Sequence, residues 1–286
     1  MSTSTPDKPN PLPKWLRLRI TASILMAGSR RRGPGNVIIL PFNKVAKLNV
    51  SAGEIAAMEF VRANTTIPIP RILENHDRQP DGTAHIVMTH VPGRDLEDAM
   101  ADMTTEQVSA VVKELADYLA QLRRLDKDAG EKPPILGGVG GITGHDCSLG
   151  WRPWGPFGTV AEFHTYLRFG GGLEDWRDKT EVWAVHSKQE QEGGHYRVKF
   201  THADIAPRNI RVGKDGKITG IIDWEFAGWY PEYWEYVKMA YGGALQRPAW
   251  KKWSDALEAE QGIKKYKDEL KGMEAIWLRA GPFPYD

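Results

Sequence analysis

Cysteine is almost missing from this chain: Cys147 is the only one among 286 residues. An intramolecular disulfide is excluded, and so is a cysteine-rich zinc site. A reducing, cytoplasmic compartment is the expectation. Long apolar runs are missing too. The most apolar early stretch, Ile20 to Ala27, is too short to span a bilayer and has arginines on both sides. Where a secretory signal would place an apolar run, residues 1–13 are polar and carry Pro6, Pro9, Pro11 and Pro13, which predicts a disordered lead-in. Net charge is close to zero at +1, which argues against a general nucleic-acid partner. The charge is unevenly spread, however. Residues 1–92 hold 12 Lys and Arg against 6 Asp and Glu, whereas residues 93–286 hold 26 against 31. The first segment suits an anionic ligand and the second a cationic one.

What is present reads as a globular chain of about two lobes. Residues 14–27 place Trp15, Leu18, Ala22, Leu25 and Met26 at near-helical spacing, although Thr21 to Met26 reads equally as a strand. A loop with three glycines and three arginines follows from Gly28 to Gly35. Val37 to Leu40 and Val45 to Leu48 flank Pro41-Phe42-Asn43, which predicts a hairpin. Ser51-x-x-Glu54 has capping-box spacing and opens a helix through about Ala63. An extended piece between Pro68 and Pro70 and a β-type run from His85 to Met88 lead to Pro92-Gly93. The lobe boundary is expected there, giving an N-lobe of 14–92 and a C-lobe of 93–286.

Beyond that point the pattern turns helical. Thr104-x-x-Gln107 caps a helix in which Val108, Val111, Val112, Leu115, Leu119, Leu122 and Leu125 repeat at three and four. Residues 126–158 are rich in Gly and Pro and predict a long irregular stretch. Thr159-x-x-Glu162 caps a helix ended by Gly170-Gly171-Gly172. A strand from Tyr196 to Phe200 follows, then a hairpin of Asn209 to Val212 and Lys217 to Ile222. Pro231 is placed in the first turn of a helix, and about two more helices finish the chain. Strands early and helices late predict a segregated α+β protein.

The chemistry concentrates in Phe200-Thr-His-Ala-Asp-Ile-Ala-Pro-Arg-Asn-Ile210 and Ile221-Ile-Asp-Trp-Glu225. His202 lies two before Asp204, Asn209 five after it, and Asp223 ends an apolar run beyond a hairpin. Asp and Asn also favour turns, so one such pair would mean little. The whole set supplies what phosphoryl transfer needs: a carboxylate to receive a hydroxyl proton and hard oxygen ligands for Mg²⁺.

These motifs resemble those of the aminoglycoside phosphotransferase family of kinase-like small-molecule kinases, in particular its fungal-type members. The counterpart of H-R-D-x-x-x-x-N reads His202-Ala-Asp204 to Asn209, and that of D-F-G reads Asp223-Trp224-Glu225. Asp223-Trp224-Glu225 favours this family over protein kinases, and no A-P-E segment is present. The resemblance spans most of residues 20–245; its C-terminal motifs are specific and its N-terminal ones weak. It implies a two-lobed protein-kinase-like fold with a small β-rich N-lobe and a larger, mainly helical C-lobe, using ATP and Mg²⁺. It implies Asp204 as general base with His202 bracing its loop, and Asn209 and Asp223 as metal ligands. Lys47 would pair the α- and β-phosphates, with Glu54 or Glu59 as its acidic partner. Met88 to Val91, including Thr89 and Val91, would meet adenine through the backbone. Gly28, Gly33 and Gly35 lie where a phosphate loop belongs but do not spell one.

Ten of eleven tryptophans follow residue 150. Trp224, Trp229, Trp234, Tyr230, Tyr233 and Tyr236 alternate with Glu225, Glu232 and Glu235. Aromatic faces with carboxylates suit a cationic acceptor, but a packed core explains the same pattern better. The resemblance implies another role for Glu235, since the family places an acidic residue on the helix after the metal-binding segment, where it would brace the catalytic loop. The expected partner is a small hydroxylated molecule, of cationic type if the aromatic pattern is functional, bound by a monomer with no nucleic-acid or membrane partner.

Overall fold

A computed structural model describes residues 36–76, 84–127, 136–150, 152–191, 196–244 and 248–280. The lead-in, the helix-or-strand reading of 14–27 and the Gly28–Gly35 loop lie outside the described residues. Two compact units emerge. One holds the chain up to Val50 together with Arg71–His90, and the other holds Ser51–Pro70 with Val91–Asp286.

In the first unit the alternation of apolar residues does form the expected hairpin. Strands β1 (Val37–Leu40) and β2 (Lys44–Val50) are joined across Phe42 and Asn43, both in left-handed conformation at φ 61° and 54°. With β3 (Ile72–His76) and β4 (Ala84–Thr89) they make an antiparallel sheet of order β1-β2-β4-β3. Because side chains alternate along a strand, Ala46 and Leu48 pack with Ile38, Leu40 and Val87 on one face. Lys47 falls on the other face, and it is buried.

The second unit carries eight helices among the described residues. Helix α1 (Ala52–Asn64) starts at Ser51, whose hydroxyl accepts the Glu54 N–H at 3.1 Å. The segment after it is tied to this unit: Thr66 N–H donates to Gln121 Oε1, and Ile221 N–H donates to the Pro68 carbonyl. A two-residue strand β5 (Arg94–Asp95) precedes the short α2 (Leu96–Ala99). Helix α3 (Thr105–Arg124) has the full reciprocal capping box of Thr104 and Gln107 and buries the predicted stripe from Val108 to Leu122. Emptying one position there, as in Leu115→Ala, would cost about 2–5 kcal/mol. Helices α4 (Val160–Leu167) and α5 (Thr180–Gln191) follow.

Strand β6 (Val198–Thr201) pairs with β9 (Gly228–Pro231), while β7 (Ile210–Val212) and β8 (Ile218–Ile221) form the predicted hairpin with β5 on its edge. Gly228 is a position without alternatives. A Cβ there would stand 2.6 Å from the Gly137 carbonyl, closer than any side chain tolerates. Helices α6 (Trp234–Ala244), α7 (Lys251–Ala259) and α8 (Lys267–Ala280) complete the chain. The fold class is thus α+β, as the residue pattern indicated. Among the described residues no helix is long and apolar enough to cross a membrane.

Two local readings are corrected. Pro231 closes strand β9 rather than opening a helix, because the Val198↔Pro231 pairing extends the β6 ladder that far and α6 begins at Trp234. Helix α5 was not anticipated. Its apolar residues are few and its polar ones many, so its burial depends on α4 and α8 packing against it.

Candidate active site

The chain leaves the buried ladder of β6 directly into His202-Ala203-Asp204. Ala203 adopts φ 64°, a conformation that costs a residue with a Cβ about 1–2 kcal/mol. What offsets the strain is Glu235, buried in the first turn of α6. Its Oε2 accepts the His202 N–H at 2.7 Å and its Oε1 the Ala203 N–H at 3.1 Å. Arg123, on the last turn of α3, places Nη2 3.5 Å from Glu235 Oε2 and also donates to Phe200 O and Thr201 Oγ1. Burial pulls the Arg123 guanidinium below its usual pKa, while the carboxylates of Glu235 and Glu232 act in the opposite sense.

His202 is fully buried and both its ring nitrogens are used. Nδ1 accepts the Asp204 N–H at 3.1 Å, and Nε2 lies 3.1 Å from the Ile222 carbonyl, to which it donates. The ring also rests on Trp224, with centroids 4.4 Å apart. One imidazole therefore ties the Asp204 loop to the segment that carries Asp223.

Asn209 closes the same assembly. It sits in a 3₁₀ turn, Pro207–Asn209, and its carbonyl accepts the Ile222 N–H at 2.9 Å. Its side-chain Nδ2 donates to Asp204 O at 2.8 Å and to Asp204 Oδ2 at 2.6 Å. With both N–H bonds spent on Asp204, Oδ1 is left for a cation. Asp223, half-buried at φ 69°, follows Ile222 directly and brings a carboxylate. An amide oxygen and a carboxylate are the donor set a hard divalent ion takes, so these residues fit Mg²⁺. Arg208 Nη2 is 2.6 Å from Asp204 Oδ1.

The remaining predicted residues fall elsewhere in each unit. Lys47 is buried on β2, opposite Ile86 of β4. Glu54 is buried on α1, whereas Glu59 on the same helix is exposed. Thr89 is held by Arg71: its N–H donates to the Arg71 carbonyl and its hydroxyl accepts the Arg71 N–H, both at 2.9 Å. The buried Val91 is wedged against Gly220, where a Cβ would stand 2.6 Å from Val91 Cγ1. The aromatic stretch is core. Trp224, Tyr230, Tyr233 and Trp234 are buried outright, and burial pushes the Tyr230 and Tyr233 hydroxyls above their usual pKa.

Three polar groupings were not found by sequence reasoning. Arg208 lay in plain view between Asp204 and Asn209, where its spacing of four from Asp204 was the available signal. Asp146, from the irregular stretch, is buried and accepts from Lys238 Nζ at 2.7 Å, Trp234 Nε1 at 2.9 Å and Ser148. His164, His186 and Glu190 bring three potential metal ligands within 4.8 Å of one another. Arg168 Nη1, however, stands 2.7 Å from both His186 Nδ1 and Glu190 Oε1, so a guanidinium already fills the cation's place.

A unit built on an antiparallel sheet, a mainly helical unit and this pair of loops define a kinase-like α+β fold. Several solved structures are similar in fold. A thermostable mutant of aminoglycoside phosphotransferase APH(4)-Ia in its apo form is 15% identical, with TM-score 0.56 over 85% of this chain and 80% of that one. The GDP and kanamycin complex of APH(2")-IIIa is 15% identical, with TM-score 0.53 over 92% of this chain and 93% of that one. A ternary complex of an APH(4)-Ia mutant with ADP and hygromycin B is 14% identical, with TM-score 0.53 over 90% and 87%. Among curated proteins none matches. The profile of the phosphotransferase enzyme family matches residues 42–276, and the chain belongs to that family.

Proposed function

We propose that this protein transfers the γ-phosphoryl group of ATP to a hydroxyl of a small molecule. The observation that carries the reading is the single hydrogen-bonded assembly of Asp204, Asn209 and the Ile222–Asp223 segment. Asp204 receives the proton of the acceptor hydroxyl, and His202 braces its loop. Asn209 Oδ1 and Asp223 hold Mg²⁺. When bound, the metal neutralises charge on the nucleotide phosphates during transfer. Lys47 pairs the α- and β-phosphates. Glu54, being buried, suits the role of its acidic partner better than the exposed Glu59. The backbone from Thr89 to Val91 meets adenine.

The acceptor is read as a small hydroxylated cation. The excess of acidic residues beyond residue 92 supports this, and kanamycin and hygromycin B, bound in two of the similar structures, are of that kind. The protein is read as a cytoplasmic monomer, for which the single cysteine suits a reducing compartment. A screen of aminoglycosides and hydroxylated metabolites, with ATP and with GTP, tests the reading by nucleoside diphosphate release, with Asp204→Asn as control. Nucleotide-dependent thermal stabilisation without turnover on any acceptor would replace the enzyme by a binding module.

A further inference from the structure

We propose that Arg208 binds the γ-phosphoryl group of the nucleotide, leaving Asp204 when the triphosphate arrives. The inference rests on the phosphotransferase reading above and adds to it a residue that the motif comparison does not assign.

Arg208 is placed with care for a residue so exposed. Its side chain is 44% exposed, whereas that of its partner Asp204 is 15% exposed. Nη2 donates to Asp204 Oδ1 at 2.6 Å, while the other carboxylate oxygen is taken by Asn209 Nδ2 at 2.6 Å. The guanidinium carbon lies 6.0 Å from the ring centroid of Trp250. That ring is buried, and its Nε1 donates to Glu97 Oε1 at 2.8 Å, so the aromatic face is fixed. A fixed face restricts the guanidinium plane. Nε and Nη1 make no hydrogen bond among the described residues, so the fork has donors to spare beside the candidate base.

Reaction geometry says what those donors meet. The acceptor oxygen must lie within hydrogen-bond reach of Asp204, about 2.6–3.2 Å. The same oxygen must approach phosphorus to about 3–3.5 Å. The oxygens of the transferred group therefore come within reach of a guanidinium already touching Asp204. In the step itself the acceptor oxygen forms its bond to phosphorus and its proton passes to Asp204. The bond from phosphorus to the bridging oxygen breaks, and its electron pair leaves with the nucleoside diphosphate. Arg208 forms no covalent bond. Two oxygens of a phosphoryl group match the arginine fork as two carboxylate oxygens do. With Oδ1 in an ion pair and Oδ2 on Asn209, Asp204 is engaged on both sides. Transfer of Arg208 to the phosphoryl group frees Oδ1 when there is a group to transfer.

The test compares the affinities of Mg-ADP and Mg-AMP-PNP, measured by calorimetry on the full chain. The parent is set beside Arg208→Gln and Arg208→Lys, with thermal unfolding of each ligand-free protein as a check on folding. Loss of a charge-assisted contact to the γ-group should weaken AMP-PNP by roughly tenfold to a hundredfold. ADP should move less than about twofold, and Lys should recover part of the loss because it keeps the charge without the fork. Equal changes for both nucleotides, or no change, would overturn the role of Arg208 and leave the kinase reading standing. If the parent binds neither these nucleotides nor their guanine counterparts, the kinase reading fails and the role of Arg208 fails with it.

Discussion

Glu235 holds the backbone of His202: one carboxylate oxygen accepts the His202 N–H at 2.7 Å while the other accepts the Ala203 N–H at 3.1 Å. The two residues lie 33 positions apart. A strained alanine turn and a helix end are thereby locked together, and the position of Asp204 follows from the lock. A backbone held this way needs no glycine at 203, although a φ of 64° is one that glycine adopts without steric cost.

Replacing Glu235 by Gln keeps the volume but turns an amide N–H₂ toward one of the two backbone donors. One buried bond is lost and Arg123 loses the strongest of the carboxylate charges acting on it. We expect a stability loss of about 1–3 kcal/mol and a fall in turnover larger than that of Glu232→Gln. Urea unfolding and initial rates measure the two effects; parent-like values in both would show that Glu235 does not hold the loop.

Asp204→Asn keeps the shape but cannot take a proton, and its amide N–H₂ must face either Arg208 or Asn209, so one of those two bonds is lost. Turnover should fall by on the order of 10²–10⁴-fold, with at most a small drop in unfolding temperature and no loss of Mg-AMP-PNP affinity. Single-turnover phosphorylation at saturating nucleotide is the decisive comparison. Equal rates would remove Asp204 from the chemistry.

Nucleotide binding is expected to need both Lys47 and the metal pair. ATP with Mg²⁺ should stabilise the protein by about 2.7 kcal/mol at a hundred times its dissociation constant, and ATP with chelator by less. Lys47→Ala should abolish most of that gain. Asp223→Asn should fold, because Asn tolerates the left-handed backbone, yet lose turnover. Asn209→Ala, which removes no charge, should be partly rescued by Mn²⁺. Undiminished MgATP binding by Lys47→Ala would dismiss the phosphate contact.

Acid should unfold this protein through a pair of histidines far from Asp204 in sequence. His164 and His186 stack at 4.0 Å between centroids and are buried. Burial, and then the Arg168 charge, hold His164 down to about 3. Burial, His164 and Arg168 hold His186 well below its usual value. A histidine whose folded pKa is depressed stabilises the fold above its unfolded pKa, and that stability is lost as pH falls below about 6.5. For His164 the loss by pH 5 is about 2 kcal/mol. Urea midpoints at pH 8 and pH 5 should therefore differ, and a His164→Asn variant should show a shallower dependence. A flat profile from pH 8 to pH 5 would contradict the buried neutral pair.

The buried ion pair of Asp146 and Lys238 joins the irregular stretch to α6. Their side chains are 0% and 4% exposed. Asp146→Ala removes the carboxylate 2.7 Å from a buried ammonium and should cost about 3–5 kcal/mol. Adding Lys238→Met should recover part of that loss, and the measured coupling in the double-mutant cycle would be near zero if the pair did not matter.

Much of this molecule is set locally. The hydroxyls of Ser51, Thr104 and Thr159 start helices by accepting their own N3 amides, a bond that spans three residues. The β1–β2 and β7–β8 hairpins follow from turns a few residues long, and the stripe on α3 follows from the helical period. Asp204, Asn209 and Asp223 were legible for the same reason, since two short motifs carry them. Tertiary structure decided the rest. The β6–β9 pairing takes Pro231 into a strand, α5 is helical because α4 and α8 cover it, and Asp146 finds Lys238 across 92 residues. It also brought Arg123 from α3 to the Glu235 carboxylate that holds the turn at Ala203. Contacts between residues far apart along the chain depend on the whole path between them, and no local spacing encodes that path.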